Sequence, residues 1–435
     1  MKKIYYPEKI NLLDYQYEIN NPKVFYGLHP QVKFCKKCSM VNQMPISTVE
    51  FNHTIEEKKI GMNINQDKIC DPCILNEKKK NIDWTEREKE LIELCDRYRK
   101  TDGSYDCIIP GSGGKDSFYA SHVLKNKYKM NPLTVTWSPH IYTDWGWKNF
   151  QSWIGSGQDN YLITSNGLVK RLLTRLAVEN LFYPFQPFVL GQRIVPPKIA
   201  ASMDIKLIFY GENEAEYNNP IADSFSSLRH PKTWTSKKNN QMHISGVSIN
   251  DLKDYFGVSK NEISLYEPLD EKILKEKNLE VHYLGYYLKW NQQEKYYYAV
   301  KHGNFIPSPN RTSGTYSKYN SIDDKMDDLH FYSMLIKFGI GRVNFDTSQE
   351  IRNNEISIDE AKVLINKFQY EFPERFEKEI YEYLSIPEDK FPIASKMFEQ
   401  PIMNKEYFIR LCDKFRSPHI WYKKNNDWFL RHTPF

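Results

Sequence analysis

The 435-residue sequence predicts an α/β protein with a doubly wound, mainly parallel sheet, a cysteine-bearing N-terminal segment and a helical C-terminal extension. Three observations predict it. Apolar strand-like runs alternate with helix-like runs from Tyr105 to about Gly211, a glycine-rich loop stands between one such strand and a helix, and two Cys-x-x-Cys pairs precede both. Strands separated by helices return in the same direction, so they pair in parallel and both faces of the sheet are covered. Ligands on such sheets sit at the carboxyl ends of the strands.

Composition bounds the rest. The length allows two or three domains, and a hydrophobic content of 40% can supply a sizeable core. The aromatic fraction of 14%, with 30 Tyr and 9 Trp, exceeds what a core alone needs and suits ring-lined binding surfaces. A net charge of +5, from 60 basic and 55 acidic residues, sets up no strong field and demands neither nucleic acid nor a membrane as partner. Met1 to Ile10 has no continuous apolar stretch of the signal type, and no later segment is apolar for long enough to span a bilayer. The expected location is the cytoplasm.

Residues 1–80 form the first expected unit. Its Cys35-Lys36-Lys37-Cys38 and Cys70-Asp71-Pro72-Cys73 offer four thiolates, matching a closed, structural zinc site, with disulfides or unliganded thiols as the alternatives. The Ser39 to Ile69 stretch between the pairs is longer than a typical ribbon loop. With little periodic apolar pattern of its own, the unit needs a metal to hold it together. It ends in the charged connector Glu77 to Lys80.

A connecting helix follows within 81–104, where Thr85 to Glu88 has the form of a capping box and Leu91, Ile92, Leu94, Cys95 and Tyr98 repeat at roughly helical spacing. Thr101 to Ser104 breaks it. The third unit, 105–290, opens with a strand from Tyr105 to Ile109 and continues with strands at Pro132–Trp137, Asp159–Thr164 and Lys206–Tyr210. Asn166 is placed to cap a helix carrying Leu168, Leu172, Leu173, Leu176 and Ala177. A further strand is expected at Val281–Tyr287. Residues 291–435 read as mainly helical, with Ile358–Phe368 and Pro373–Leu384 the clearest helices, and no internal repeat is visible.

The chemistry centres on Pro110-Gly111-Ser112-Gly113-Gly114-Lys115-Asp116-Ser117, between a strand and a helix expected to begin near Phe118. Glycines let backbone approach a phosphate closely, a helix start presents unpaired N–H groups and a positive dipole end, and Ser112 and Ser117 add hydroxyls. Lys115 can balance further phosphate charge. A glycine-rich turn that merely joins strand to helix is the plain alternative. The loop is not of the Walker type, because Lys115 is followed by Asp116.

Ser-Gly-Gly-Lys-Asp-Ser resembles the pyrophosphate loop of the N-type ATP pyrophosphatases, the PP-loop superfamily, whose fold is of the adenine nucleotide alpha-hydrolase type. These enzymes adenylate a carbonyl or carboxyl oxygen and release pyrophosphate. The resemblance implies ATP binding by Ser112, Gly113, Gly114, Lys115, Asp116 and Ser117, catalytic roles for Lys115 and Asp116, and Mg²⁺ held with the help of Asp116. Further stretches look like signature segments of a narrower family, the N-acetyl sugar amidotransferases. They are Gly211-Glu212-Asn213-Glu214-Ala215-Glu216-Tyr217, Arg311-Thr312-Ser313-Gly314-Thr315-Tyr316-Ser317-Lys318-Tyr319, Tyr283 to Trp290, Gly339 to Asn344 and Trp137 to His140.

That family acts in the synthesis of bacterial surface sugars, in lipopolysaccharide and in flagellin-modifying nonulosonic acids such as pseudaminic or legionaminic acid. The resemblance implies conversion of an acetamido to an acetamidino group at the expense of ATP, with ammonia as nitrogen source. It makes Glu212, Asn213 and Glu216 catalytic candidates and Arg311, Thr312, Tyr316, Lys318, Tyr319 and Arg342 substrate-binding candidates. A helix start rich in acidic residues is the alternative for Glu212 to Glu216, and plain surface solvation for the basic residues. Asp323, Asp324, Asp327 and Asp328 read as an exposed acidic helix face rather than a metal site.

No glutaminase signature accompanies the lone cysteines, so ammonia must come from elsewhere. The resemblance implies separate glutaminase and barrel-like channel subunits, akin to those of imidazole-glycerol-phosphate synthase. A transfer-RNA thiolase is the rival reading and needs a persulfide-bearing cysteine near the loop, yet Cys107 lies inside the preceding strand. A nucleotide-regulated zinc adaptor without catalysis is the third.

Overall fold

A computed structural model describes residues 5–47, 49–211, 226–237 and 242–434. Its centre is a five-stranded sheet of β1 (Cys107–Pro110), β2 (Pro132–Trp137), β3 (Asp159–Ile163), β4 (Leu207–Tyr210) and β5 (Glu280–Tyr283), in the order β3-β2-β1-β4-β5. All four pairings are parallel, with Ile108 level with both Leu133 and Ile208. The chain runs outward from β1 through β2 to β3, then crosses to the other side of β1 for β4. The topological switch point therefore falls between β1 and β4, where the glycine loop leaves the sheet.

Period-two alternation assigns the strand residues to opposite faces. Ile108, Leu133, Val135, Ile208 and Val281 point into one core with α5 (Gly167–Leu181) and α6 (Gln186–Ser202), where Leu172, Leu173, Leu176, Leu190 and Ile194 are buried. Cys107, Ile109, Leu207 and Phe209 point the other way, into Leu91, Leu94 and Cys95 of α2 (Trp84–Tyr98) and Ala120, Val123 and Leu124 of α3 (Lys115–Asn126). Asn166 caps α5 as expected, accepting from the N–H groups of Leu168 and Val169 at 3.0 and 3.4 Å. The cap of α2 differs. Asp83, not Thr85, accepts from the Thr85 and Glu86 N–H groups, because its carboxylate reaches the open first turn and adds charge at the positive helix end.

The run expected as one strand from Val281 to Tyr287 divides. Its second half forms a single helical turn, Leu284–Tyr287, because the Gly285 N–H donates to the Gly211 carbonyl at 2.8 Å and draws the chain across the end of β4.

The cysteine-bearing segment is held by more than its thiols. Tyr15, Leu28, Met40, Val41 and Met62 share a core with Leu335, Phe338, Ile340, Ile420, Trp421 and Leu430. Those partners come from α8 (Asp327–Phe338), the turn after it and the hairpin of β6 (Trp421–Lys424) and β7 (Asp427–Leu430). The Tyr15 hydroxyl donates to the Arg416 carbonyl at 2.8 Å, tying the two ends of the chain together.

Ile358–Phe368 is helical with the expected bounds, while the helix expected from Pro373 begins at Glu377. Fully buried Arg175 of α5 fastens the C-terminal region to the sheet layer, donating to the carbonyls of Leu384, Gln400 and Pro401 at 2.6–3.1 Å and pairing with Glu179.

A pH consequence follows from His330 of α8. Its ring lies 4.7 Å from that of Phe185, and its Nδ1 is buried with no hydrogen-bond partner among the described residues. Burial first, then the charges of Arg342 and His140, holds its pKa down to about 3. The unfolded chain takes up this proton near pH 6.5, so the group costs nothing above that pH. Below it, stability falls at about 1.4 kcal/mol per pH unit until pH 3 is approached. Between pH 6 and pH 4, thermal unfolding is expected to show stability falling less steeply in His330→Phe than in the wild type, by about 1.4 kcal/mol per pH unit.

Candidate nucleotide-binding site

The loop at the carboxyl end of β1 is shaped by contacts that exclude side chains. A Cβ on Gly111 would lie 2.2 Å from the Ser117 Cβ, and Gly113 has φ +86° with a Cβ position 2.6 Å from the Phe150 Cα. Phe150 belongs to α4 (Asp144–Gly155), so the loop is pressed between α3 and the backbone of α4. α3 begins at Lys115, three residues earlier than expected, with Gly114 as its N-cap. This places Lys115, Asp116 and Ser117 in the first helical turn. No side chain caps that turn, so its N–H groups and the positive end of the dipole remain open toward the loop.

Lys115 is buried and its ammonium pairs with the Asp116 carboxylate. The other Asp116 oxygen, Oδ1, is buried and has no hydrogen-bond partner among the described residues. A buried carboxylate oxygen without a donor is a place for a cation, and Mg²⁺ fits this donor set. The Ser117 hydroxyl donates to the Gly114 carbonyl at 3.0 Å, and Ser112 hydrogen-bonds the Asp323 carboxylate.

β4 ends beside the same turn, a Cβ on Gly211 falling 3.9 Å from that of Asp116 and 3.1 Å from the Trp290 ring. The chain therefore enters the Glu212 to Tyr217 stretch next to Asp116. Glu212, Asn213 and Glu216 themselves lie outside the described residues.

The four aspartates after Ile322 are not an exposed helix face. Asp324, Asp327 and Asp328 are 3%, 7% and 2% exposed, and only Asp327 and Asp328 are helical. The apolar residues between them explain the difference: Ile322, Met326 and Leu329 are buried and draw the carboxylates in with them. Asp324 and Asp328 each face a basic side chain. Asp324 accepts from the backbone and Nδ1 of His140, both at 2.7 Å, and these donors hold it below the ordinary carboxylate range although burial alone would raise it. Asp328 is held by a two-pronged Arg375 guanidinium at 2.8 and 3.0 Å and by Ser313, while burial keeps its pKa raised. Asp327 is pushed well above its usual value by burial and by Asp323 and Asp324. One segment thus runs from Ser112 in the loop to Ser313 in the C-terminal region. The signal that could have found it was the apolar spacing of Ile322, Met326 and Leu329.

Most of the substrate-binding candidates are held by partners of their own. Arg311 forks onto Glu371 with its guanidinium 4.7 Å from the Phe368 ring, Tyr316 donates to Glu350 at 2.5 Å, and Arg342 pairs with Asp346 at 3.2 Å. Thr312 is fully buried and donates to the Asn320 carbonyl, Tyr319 stacks on Tyr296 at 4.3 Å, and Lys318 is exposed. Arg311 also lines a cavity of about 480 Å³ with Asn310, Ser313, Glu371 and Arg375. A second cavity, of about 550 Å³, opens at the carboxyl ends of β2 and β3 between Ser138, Thr164, Asn166, Arg171 and Tyr383.

The cysteine pairs do converge. The Sγ atoms of Cys35, Cys38, Cys70 and Cys73 lie within 4.8 Å of one another, all buried. Separations of 3.9 Å for Cys35–Cys73 and 3.5 Å for Cys38–Cys70 are too long for disulfides. They suit the edges of a tetrahedron around one ion with metal–sulfur distances of about 2.3 Å. Arg352 approaches the Cys38 sulfur at 3.7 Å, a charge suited to thiolates. Cys107 is fully buried, and burial pushes its thiol well above the ordinary range.

Residues 313–433 match the family described as LPS biosynthesis protein WbpG-like, C-terminal domain. The chain is 41% identical over 83 residues to the uncharacterized protein MJ1599 of Methanocaldococcus jannaschii, spanning 19% of this chain and 29% of that protein's length. Among solved structures it is similar to the NH3-dependent NAD synthetase of Campylobacter jejuni, in complex with nitrate, at 13% identity over 51% of this chain and 86% of that one, with a TM-score of 0.25. It is also similar to the U34-tRNA thiolase NcsA of Methanococcus maripaludis with its 4Fe-4S cluster, at 12% identity over 77% and 89% of the two chains, with a TM-score of 0.27. The fold rests on the strand order and not on these two likenesses. The protein is thus a parallel α/β protein with a glycine loop at its switch point, and its residues 313–433 are similar to the WbpG-like C-terminal domain family. Among the described residues no helix is long and apolar enough to cross a membrane.

Proposed function

We propose that the protein is an ATP pyrophosphatase of surface-glycan synthesis that adenylates the acetamido oxygen of an N-acetylated sugar and replaces it with ammonia-derived nitrogen. The observation that carries this reading is the Ser112–Ser117 loop, with its open helix start, buried Lys115 and an Asp116 Oδ1 that has no partner among the described residues, at the switch point of a parallel sheet. The WbpG-like domain, described by its role in lipopolysaccharide synthesis, supports a sugar as the acceptor.

An acetamide carbon is a poor electrophile because its nitrogen donates into the carbonyl. Attack of the amide oxygen on the α-phosphorus of ATP releases pyrophosphate and, with loss of a proton, leaves an imidate whose leaving group is AMP. Ammonia then adds to the carbon, AMP departs, and loss of a second proton gives the amidine. The loop N–H groups and Lys115 bind the departing pyrophosphate, and the chain's main work is to align oxygen with phosphorus. Mg²⁺ at Asp116 would supply further neutralisation of phosphate charge. Arg311 and the cavity beside it are the proposed place for the sugar, with Tyr316, Lys318 and Arg342 as further proposed contacts.

We assign the four cysteines a structural zinc, since a closed set of four thiolates has no open position for chemistry. Separate glutaminase and channel subunits are the proposed ammonia source. The fully buried Cys107 lends the thiolase reading no exposed sulfur carrier.

The test is to incubate the protein with ATP, Mg²⁺, ammonium and candidate acetamido sugars. AMP is expected together with a loss of about one mass unit from the sugar, as NH replaces O. AMP formed only with transfer RNA and a sulfur donor would overturn the proposal, and glutamine serving as well as ammonium would overturn the separate glutaminase.

A further inference from the structure

Beside the loop lies a charge that the mechanism above does not use. Lys295 sits on α7 (Gln292–Gly303), a helix of the C-terminal region that packs directly against α3, with a Cβ on Gly303 falling 2.2 Å from the Phe118 ring. The residue is 5% exposed. Its ammonium lies 3.7 Å from the centroid of the Tyr119 ring and 5.4 Å from that of Trp290, and it makes one long hydrogen bond, to the Lys289 carbonyl at 3.3 Å. Among the described residues no carboxylate pairs with it within 4.0 Å.

A lysine so buried normally has a carboxylate partner or a full set of acceptors, because an uncompensated charge away from water is costly. Lys170 shows the satisfied arrangement in this same chain, its ammonium donating to the Ser138 carbonyl, the Ser138 hydroxyl and the Pro139 carbonyl at 2.6–2.9 Å. Among the described residues, Lys295 has two donors to spare.

Its surroundings point to what would use them. Tyr119 lies one helical turn beyond Asp116 on α3, and the Trp290 ring that flanks Lys295 also lies against Gly211, beside Asp116. Burial lowers the Lys295 pKa to about 8, against the opposing charges of Glu294 and then Asp116. Asp116 already serves Lys115. Lys295 thus adds a second ammonium against the first turns of α3, where Asp116 is already paired with Lys115.

We propose that Lys295 is a second cation of the phosphate site, supplied by the C-terminal region, whose ammonium contacts the pyrophosphate half of bound ATP. This rests on the ATP reading above. The Tyr119 and Trp290 rings hold the stem, and the two spare donors engage the β- and γ-phosphate oxygens. Nucleotide binding would thereby join α7 to the loop helix.

The test compares binding of inorganic pyrophosphate, α,β-methylene-ATP and AMP to the wild-type protein, Lys295→Met and Lys295→Arg by calorimetry. Lys295→Met keeps the length of the stem without the charge. It is expected to weaken pyrophosphate and the ATP analogue by about 10- to 100-fold and AMP by less than about twofold, with Lys295→Arg recovering most of the loss. Its ligand-free melting temperature is expected to match or exceed that of the wild type. Equal affinities for pyrophosphate in Lys295→Met and wild type overturn the assignment, as does a parallel loss of AMP binding, which marks a structural role. If Lys295→Met does not fold, Lys295→Gln is read for the same split between pyrophosphate and AMP. A wild-type protein that binds neither pyrophosphate nor the analogue sinks the ATP reading itself.

Discussion

Gly113→Ala is expected to abolish AMP formation and to destabilise the fold by about 2–5 kcal/mol. Two costs add at this position. The φ of +86° is a left-handed conformation that costs an L-residue about 1–2 kcal/mol. The new Cβ would also stand 2.6 Å from the Cα and 2.9 Å from the N of Phe150, backbone atoms that cannot rotate away. Relieving that contact moves α4 or the loop, at about 1–3 kcal/mol. Either movement displaces the N–H groups of the first α3 turn from the place where phosphate is to bind. Thermal unfolding and pyrophosphate titration would measure the two effects separately. Gly114→Ala is the control: a Cβ there meets only the Ser112 hydroxyl, at 3.8 Å, so the fold is expected to keep most of its stability. A Gly113→Ala protein with wild-type stability would mean the loop is not pressed against α4.

How much of this was legible in the sequence depends on how local each cause is. β2 and the Ile358–Phe368 helix carry their own signals, an apolar run of β-favouring residues in one and a Ser357/Glu360 capping box before helical spacing in the other, and both occur with the expected bounds. The loop was visible because glycine, hydroxyl and lysine at fixed offsets are a local pattern. The start of α3 was misplaced because Lys115, Asp116 and Ser117 are polar, and nothing in a sequence says that a polar turn is helical until its N–H groups are needed at a ligand site. The turn at Leu284 was invisible for another reason: it is set by Gly211, far away in the chain.

Burial of charge was the hardest to read. In the Gln292–Gly303 helix, Lys295 is buried and Lys301 exposed, and only the packing of α7 on α3 separates them. The Asp323 to Asp328 run carried a weak signal in its interleaved apolar residues, but the partners that make its burial tolerable, His140 and Arg375, lie far apart in sequence.

Loss of metal from the cysteine cluster is expected to loosen both ends of the chain, not the N-terminal segment alone. The four thiolates close a loop from Cys35 to Cys73 whose apolar residues are too few to form a core by themselves. Tyr15, Leu28, Met40 and Met62 therefore complete one core with Leu335, Phe338, Trp421 and Leu430. Removing a bound metal, or replacing one ligand by Cys70→Ser, withdraws the constraint that presents those residues to α8 and the β6–β7 hairpin. A drop in melting temperature of roughly 10 °C is expected. Hydrogen exchange should rise in residues 28–75 and, together with them, in 335–340 and 420–430. α8 begins with Asp327 and Asp328, which belong to the segment reaching Ser112, so loosening there should also weaken pyrophosphate binding although the cysteines touch no ligand. Native mass spectrometry showing no bound metal would remove the premise. Exchange confined to residues 28–75 after chelation would show that the shared core holds the C-terminal region without help from the metal.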